Sequence, residues 1–395
     1  MSTHVLDFPE LEIGDRTRAW AAINLSAIEH NIQALQRHIG SKTHIIAVVK
    51  ANAYGLGASK VGGAAMAAGA ASLAVATVEE GVELRQSGLS SCSILVLGHV
   101  PGGLLGEAVA SNLTLTINDP ETALALSQEA TRQYRRYSPL PVHLKLDTGL
   151  HRYGLEMETA LDMARYIEAL PGLQLQGLYT HFATGDEADR SFVYEQLRRY
   201  EAVRPYLAEH GINFTQTHLS NSASAIGVPE ARQDLVRIGL SMLGYYPSAE
   251  VSQTAYFARL RLQPCLSLKS QVVRVSEIEA GEGVGYNLTW TAQRPTRLAL
   301  IPIGYADGYR RALSNKADVL INGLRAPVVG SVSMDQITVD ITDIGDVYVG
   351  DEVVLIGQQG KAEIPLEEIA AYCDTISYEI LTGLGARVKR VYISQ

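Results

Sequence analysis

From residue 20 to about 240, short apolar runs alternate with longer segments of mixed polarity. "HIIAVVK" (44–50), "SLAVAT" (72–77), "SILVLGH" (93–99), "LTLTIN" (113–118), "PVHLKLD" (141–147), "LQLQGLYTHF" (173–182) and "THLSNS" (217–222) read as strands. Helical segments separate them. A Gly/Ala-rich stretch of helical length follows the first run, and "VEEGVELRQSG" (78–88) is a helix closed by Gly88. "DPETALALSQEATRQY" (119–134) opens with Asp119 as N-cap and Pro120 at the first helical position. "METALDMARYIEAL" (157–170) is amphipathic, and another helix surrounds "SFVYEQLRRYEAVRPYLAEHG" (191–211). Strands alternating with helices predict right-handed βαβ units and a parallel sheet. Roughly seven or eight repeats fit the size of an α/β, (β/α)8 TIM barrel, with a doubly wound sheet as competitor. Past about residue 250 the texture becomes β-rich and turn-punctuated; only "PLEEIAAYCDT" and a segment near "YEILTG" look helical. The expected division is a barrel over 1–255 and a C-terminal mostly-β domain over 256–395. The barrel range includes the first ~15 residues, with packing on the β domain as the alternative for them.

Composition narrows the class. The chain has 395 residues, 47% of them hydrophobic, which suits two cored domains. A net charge of −9 argues against nucleic acid as the partner, since phosphate binding wants a basic surface. Three scattered cysteines, Cys92, Cys265 and Cys373, imply no disulfide framework and no zinc spacing, so no metal is expected. The N-terminal segment carries charges throughout and is no signal peptide. "VGGAAMAAGAASLAVATVEEG" (61–81) reads as a buried helix and a strand rather than a membrane span. A soluble, cytoplasmic protein with no membrane partner is the expectation.

In a parallel barrel, catalytic groups gather at the C-terminal ends of the strands. Lys50 ends one apolar run, Lys145 and Asp147 end another, His181 a third, and Asn221 with Ser222 follow a fourth. A lysine at a strand end commonly just snorkels to solvent. Several such positions in one repeating architecture point to a site.

The residues around these positions resemble the alanine racemases, a family dependent on pyridoxal 5'-phosphate. "AVVKANAYGLGA" is similar to the family's cofactor-lysine motif. "HLKLDTGLHRYG", "YTHFATGDEAD", "HLSNSASAI", "VRIGLSMLGY", "GEGVGYNLTWTA", "IPIGYADGY", "GSVSMDQITVDIT" and "TISYEILTGLGARVKRVY" follow in family order and cover nearly the whole chain.

The resemblance implies roles. Lys50 would hold the cofactor aldehyde covalently and then act as a base on one face of the substrate carbon, which needs an amine lowered by burial or nearby positive charge. Tyr286 would be the acid/base on the opposite face; a phenol near pKa 10 needs tuning for that task. His181 would stack on the cofactor ring, and His218 and Arg237 would continue a polar chain from it. Arg237 would face the ring nitrogen, and arginine keeps its protons, so that nitrogen stays an unprotonated acceptor and side reactions such as transamination are disfavoured. Tyr54, Asn221, Ser222, the backbone at Gly239 and Leu240, and Tyr378 would complete the cofactor site. Arg152, Met334 and Tyr305 would meet the substrate. Lys145 would be a carbamylation site orienting Arg152, and Asp335 supports the Met334 loop.

The implied assembly is a homodimer in which Tyr286, Tyr305, Met334 and Asp335 reach the partner's cofactor. Two departures from the family pattern are visible: His151 and Tyr153 stand where smaller or aliphatic residues are usual, and Ser333 where cysteine is frequent. The implied activity is two-base interconversion of L- and D-alanine for peptidoglycan precursors. A serine or broad-specificity racemase is the alternative, with Tyr378 favouring a small pocket.

Overall fold

The computed structural model of the protein describes residues 17–135, 138–248, 252 and 260–394. Two units emerge, one spanning Asn24–Cys265 and the other combining the strand before it with Leu266–Ile393.

The first unit is a closed barrel of eight parallel strands: β2 (His44–Val48), β3 (Ser72–Val75), β4 (Ser93–Val96), β5 (Thr114–Ile117), β6 (Leu140–Lys145), β7 (Leu173–Tyr179), β8 (Gln216–His218) and β9 (Leu235–Ile238). β2 pairs in parallel with β9, Ile46 opposite Arg237, which closes the ring and excludes the doubly wound sheet. The strands read as apolar runs because both faces are covered, as parallel sheets require. Ile46, Val48, Ala74, Leu95 and Leu235 form one buried cluster.

The helix signals work as their chemistry demands. Asp119 caps the helix Pro120–Arg132 by accepting a 2.7 Å bond from the Thr122 N–H. Thr77 and Glu80 form a reciprocal capping box at the start of Val78–Gln86, and Gly88 adopts φ +102° just beyond that helix. Strand lengths are shorter than the apolar runs suggest. β2 ends at Val48, so Lys50 does not end a strand but opens the turn after it. β8 (Gln216–His218) takes in only Thr217 and His218 of "THLSNS", because Asn221 turns the chain into the helix Ser222–Gly227.

The second unit is mostly β. β1 (Ala19–Asn24) pairs antiparallel with β10 (Leu266–Gln271), Ala19 opposite Ser270, and on its other side neighbours the strand Lys389–Ile393. Ala19–Ile23 groups with the β unit, and the two units divide after Ile23 and after Cys265. The expectation for the first ~15 residues lies outside the described residues. A three-stranded antiparallel sheet joins Arg274–Ile278, Thr296–Ile301 and Ile337–Asp340. Val284, Leu298 and Val329 are its buried cluster, with Ile278 and Trp290 packed against them.

Candidate active site

Lys50 stands at the head of an unusual turn. Ala51, Asn52, Ala53 and Tyr54 all have left-handed backbone angles, with φ of 51°, 54°, 51° and 56°. Left-handed geometry costs roughly 1–2 kcal/mol per non-glycine residue, so four in succession need strong local support. Several bonds supply it. The Gly55 N–H donates to the Ala51 carbonyl (2.8 Å) and the Gly57 N–H to that of Asn52 (2.8 Å). Asn52 Oδ1 accepts from the Ala58 N–H (2.8 Å), and Glu80 accepts from the Ala51 N–H (2.6 Å). Burial holds the Lys50 amine below its ordinary value; Arg152 and then Arg237 push the same way, and Glu80 opposes them.

Behind the turn lies a buried polar row. The Arg237 guanidinium donates to His218 Nδ1 (2.7 Å), His181 Nδ1 (3.0 Å) and the carbonyls of Thr180, His218 and Leu219 (2.8 Å each). Arginine has only protons to give. His181 and His218 therefore accept through Nδ1 and are neutral. The His218 Nε2–H then points at His143 Nδ1, 2.9 Å away. Burial, then the Arg237 charge, holds both His181 and His218 well below the ordinary histidine value, and burial takes His143 to about 4. His218 also stacks on Tyr179, with ring centroids 4.4 Å apart. These bonds use the two terminal nitrogens of Arg237; its Nε–H has no partner among the described residues.

Tyr54, Ser222 and Gly239 converge. The Gly239 N–H donates to Ser222 Oγ (3.1 Å). A Cβ on Gly239 would fall 2.1 Å from the Tyr54 hydroxyl oxygen, so the phenol lies directly over the glycine. Leu240 opens a short 3-10 turn there. Asn221 instead caps the next helix, its Oδ1 accepting from the Ser224 N–H at 3.1 Å, which sets Ser222 in place.

Lys145 is buried at the end of β6, its amine 5.6 Å from the ring centres of both Tyr153 and Tyr179. Burial, then Arg237 and Arg152, lowers it to about 8 against the pull of Asp147. Arg152 and Tyr153 ride a loop tied at its base by the Leu155 N–H to the Lys145 carbonyl (2.7 Å) and the Asp147 N–H to that of Leu155 (2.8 Å). Asp147 holds that loop, accepting from the N–H groups of Gly149 and His151. His151 takes φ +54° there, exposed beside the Asp147 carboxylate.

The β unit carries the other expected residues. Tyr286, Tyr305 and Met334 are exposed, at 71%, 43% and 52%. Hydrogen bonds tie their loops together: the Tyr305 N–H donates to the Ser333 carbonyl (3.0 Å) and the Ser331 hydroxyl to that of Tyr286 (3.2 Å). Asp335 pairs with Arg387 (2.8 Å). Arg387 also meets the buried Asp307, whose carboxylate binds Arg18 and the Gly304 N–H and so fixes the turn bearing Tyr305. Tyr378 is half-buried in the helix Ser377–Thr382.

The barrel residues fit pyridoxal phosphate. Its phosphate needs converging hydroxyls, and the bare Cα of Gly239 lets those of Tyr54 and Ser222 come together. The ring nitrogen needs a donor, and Arg237 keeps one. Two residues here escaped sequence reasoning. Glu80 supports the lysine turn; its capping-box spacing, Thr77 to Glu80, was the available local sign. His143 lies at the end of the histidine row, and no local pattern marks it.

Comparison with known proteins agrees with this geometry. The alanine racemase N-terminal domain family matches residues 23–247 and the alanine racemase C-terminal domain family residues 265–392. The chain is 44% identical to an alanine racemase of Desulforamulus reducens, over 95% of this chain and 98% of that one. Identity is also 44% to an alanine racemase of Symbiobacterium thermophilum, covering 94% and 96%. The solved alanine racemase of E. faecalis superposes with a TM-score of 0.89 at 34% identity, covering 96% and 99%. That of Bartonella henselae, solved with covalently bound pyridoxal phosphate, gives 0.83 at 32% identity, covering 95% and 100%. The chain belongs to the alanine racemase family.

Proposed function

We propose that this chain is an alanine racemase that interconverts L- and D-alanine with pyridoxal 5'-phosphate and supplies D-alanine for peptidoglycan precursors. The observation that carries the reading is Arg237 bound to two neutral histidines with its Nε–H left over. A group that only donates holds the cofactor ring nitrogen as an acceptor. When bound, the cofactor acidifies the Cα proton of an amino acid joined to it.

The chain's own residues then divide the work. Lys50 Nζ holds the cofactor and, with its amine lowered by burial and by Arg152, takes or returns a proton on one face of the substrate carbon. Tyr54, Ser222 and the Gly239 and Leu240 backbone would hold the phosphate, with Tyr378 and Asn221 in support. His181 would lie beside the ring of the bound cofactor, and His218 fixes Arg237 by accepting from it. Tyr286 moves the proton on the opposite face, and Arg152, Tyr305 and Met334 orient the carboxylate. A carbamate on Lys145 would place a negative charge beside Arg152.

Tyr286, Tyr305 and Met334 are exposed on a separate unit from Lys50, which fits a homodimer whose active sites take residues from both chains. Mixing Lys50→Ala with Tyr286→Ala chains tests this: shared sites restore a fraction of activity, and self-sufficient chains restore none. A cytoplasmic location fits the free thiols at Cys92, Cys265 and Cys373 and the lack, among the described residues, of a helix long and apolar enough to cross a membrane.

The deciding experiment incubates the protein with single L-amino acids in deuterated water. Loss of optical rotation with deuterium entering Cα of alanine is the expected result. No exchange with alanine, or faster exchange with serine, would overturn the assignment.

A further inference from the structure

We propose that Glu80 is a positioning residue for Lys50, a carboxylate clamp that holds the lysine-bearing turn in its left-handed form. This deepens the reading above and rests on it for the role of Lys50. One carboxylate reaches two loops. Its Oε1 accepts from the Ala51 N–H at 2.6 Å, and its Oε2 accepts from the Ala76 N–H at 2.7 Å and the Thr77 N–H at 3.4 Å. Thr77 Oγ1 in turn accepts from the Glu80 N–H, so the carboxylate's own helix is capped by the same exchange. The C-terminal ends of β2 and β3 are thereby tied together immediately beside Lys50.

The turn has particular need of the tie. Ala51–Tyr54 are four non-glycine residues in a conformation that the chain's chirality disfavours. Ala51 is the first of them, and its N–H points away from any helical partner of its own. Without an acceptor there, the turn can relax towards an ordinary right-handed one, which re-aims the lysine. Glu80 is also the negative charge that acts on the Lys50 amine among Arg152 and Arg237, so it sets charge as well as direction. A glutamine keeps one acceptor oxygen for three donors. An alanine keeps none.

Amide hydrogen exchange on the cofactor-free protein reads the clamp directly. Glu80→Ala is expected to speed exchange over Lys50–Gly57 about tenfold, the effect of losing one charged hydrogen bond. Glu80→Gln should fall between, and exchange over Leu140–Lys145 should not change. In the second arm, pyridoxal phosphate is trapped with borohydride across a pH series and the modified residue identified by mass. Trapping at Lys50 should have its half-point at lower pH in Glu80→Gln than in the wild type. Unchanged exchange over Lys50–Gly57 in Glu80→Ala, or a rise shared equally by the whole barrel, overturns the clamp while leaving the function of Lys50 intact. Trapping at another residue overturns the reading of Lys50 and, with it, the positioning role.

Discussion

Gly239→Ala tests the phosphate cradle most sharply, because the structure fixes the size of the collision. The added methyl would lie 2.1 Å from the Tyr54 hydroxyl oxygen, 2.9 Å from Cζ and 3.3 Å from Cε2. Against a contact distance of about 3.5 Å, the overlap with the oxygen is roughly 1.4 Å. Tyr54 has little freedom to retreat: it is buried and ends the left-handed turn at φ +56°. Overpacking of this kind costs about 1–3 kcal/mol. If the strain is relieved by moving the phenol off the phosphate position, the loss appears in cofactor affinity, roughly 5- to 150-fold. Absorbance titration of the cofactor-free protein with pyridoxal phosphate measures it, and a thermal melt of the same protein separates folding from binding. The double variant Gly239→Ala with Tyr54→Phe provides an internal check. Removing the oxygen leaves Cζ as the nearest atom at 2.9 Å, so the overlap drops to about 0.6 Å and much of the melting temperature should return. Affinity should stay low, because the hydroxyl is gone. A Gly239→Ala protein that binds the cofactor within twofold of wild type would refute the cradle.

Two further outcomes follow from the buried groups. His143 has its folded-state pKa lowered to about 4 by burial, so the unfolded chain binds more protons between the ordinary histidine value and that figure. Stability is therefore fully present above about pH 6.5 and is lost as pH falls towards 4, by about 3 kcal/mol from His143 alone. Urea melts at pH 7.5 and 5 check the sign, and His143→Gln should flatten the dependence. Lys145, lowered to about 8, has a substantial neutral fraction near neutral pH, as carbon dioxide capture requires. Carbon-13 NMR with labelled bicarbonate should show a carbamate resonance that Lys145→Ala abolishes.

The barrel was legible because its strands are apolar on both faces and its helices carry local caps such as Asp119 and Pro120. Lys50 was placed at a strand end because nothing in Ala-Asn-Ala-Tyr announces four left-handed residues; only the flanking Gly55 and Gly57 mark a turn. The geometry there is set from outside the segment, by Glu80 29 residues away. The same limit hid the allegiance of β1. Its sequence, "AWAAIN", looks like any buried strand, and its partners, Leu266–Gln271 and Lys389–Ile393, come from beyond the whole barrel. Chemistry was clearer than placement for Arg237. Its type and setting implied a pure donor, while its two histidine acceptors depend on three strands meeting inside the barrel.

The pairing of β1 also bears on the order of synthesis. The barrel occupies one uninterrupted stretch, so it can close while the ribosome is still making the rest. The β unit cannot finish then, since β1 is made before the barrel and its neighbour Lys389–Ile393 well after it. During translation β1 is a nascent strand with both edges open, a template for wrong pairing between neighbouring polysomal chains. Slow elongation through the second half should therefore raise aggregation more than it lowers barrel formation.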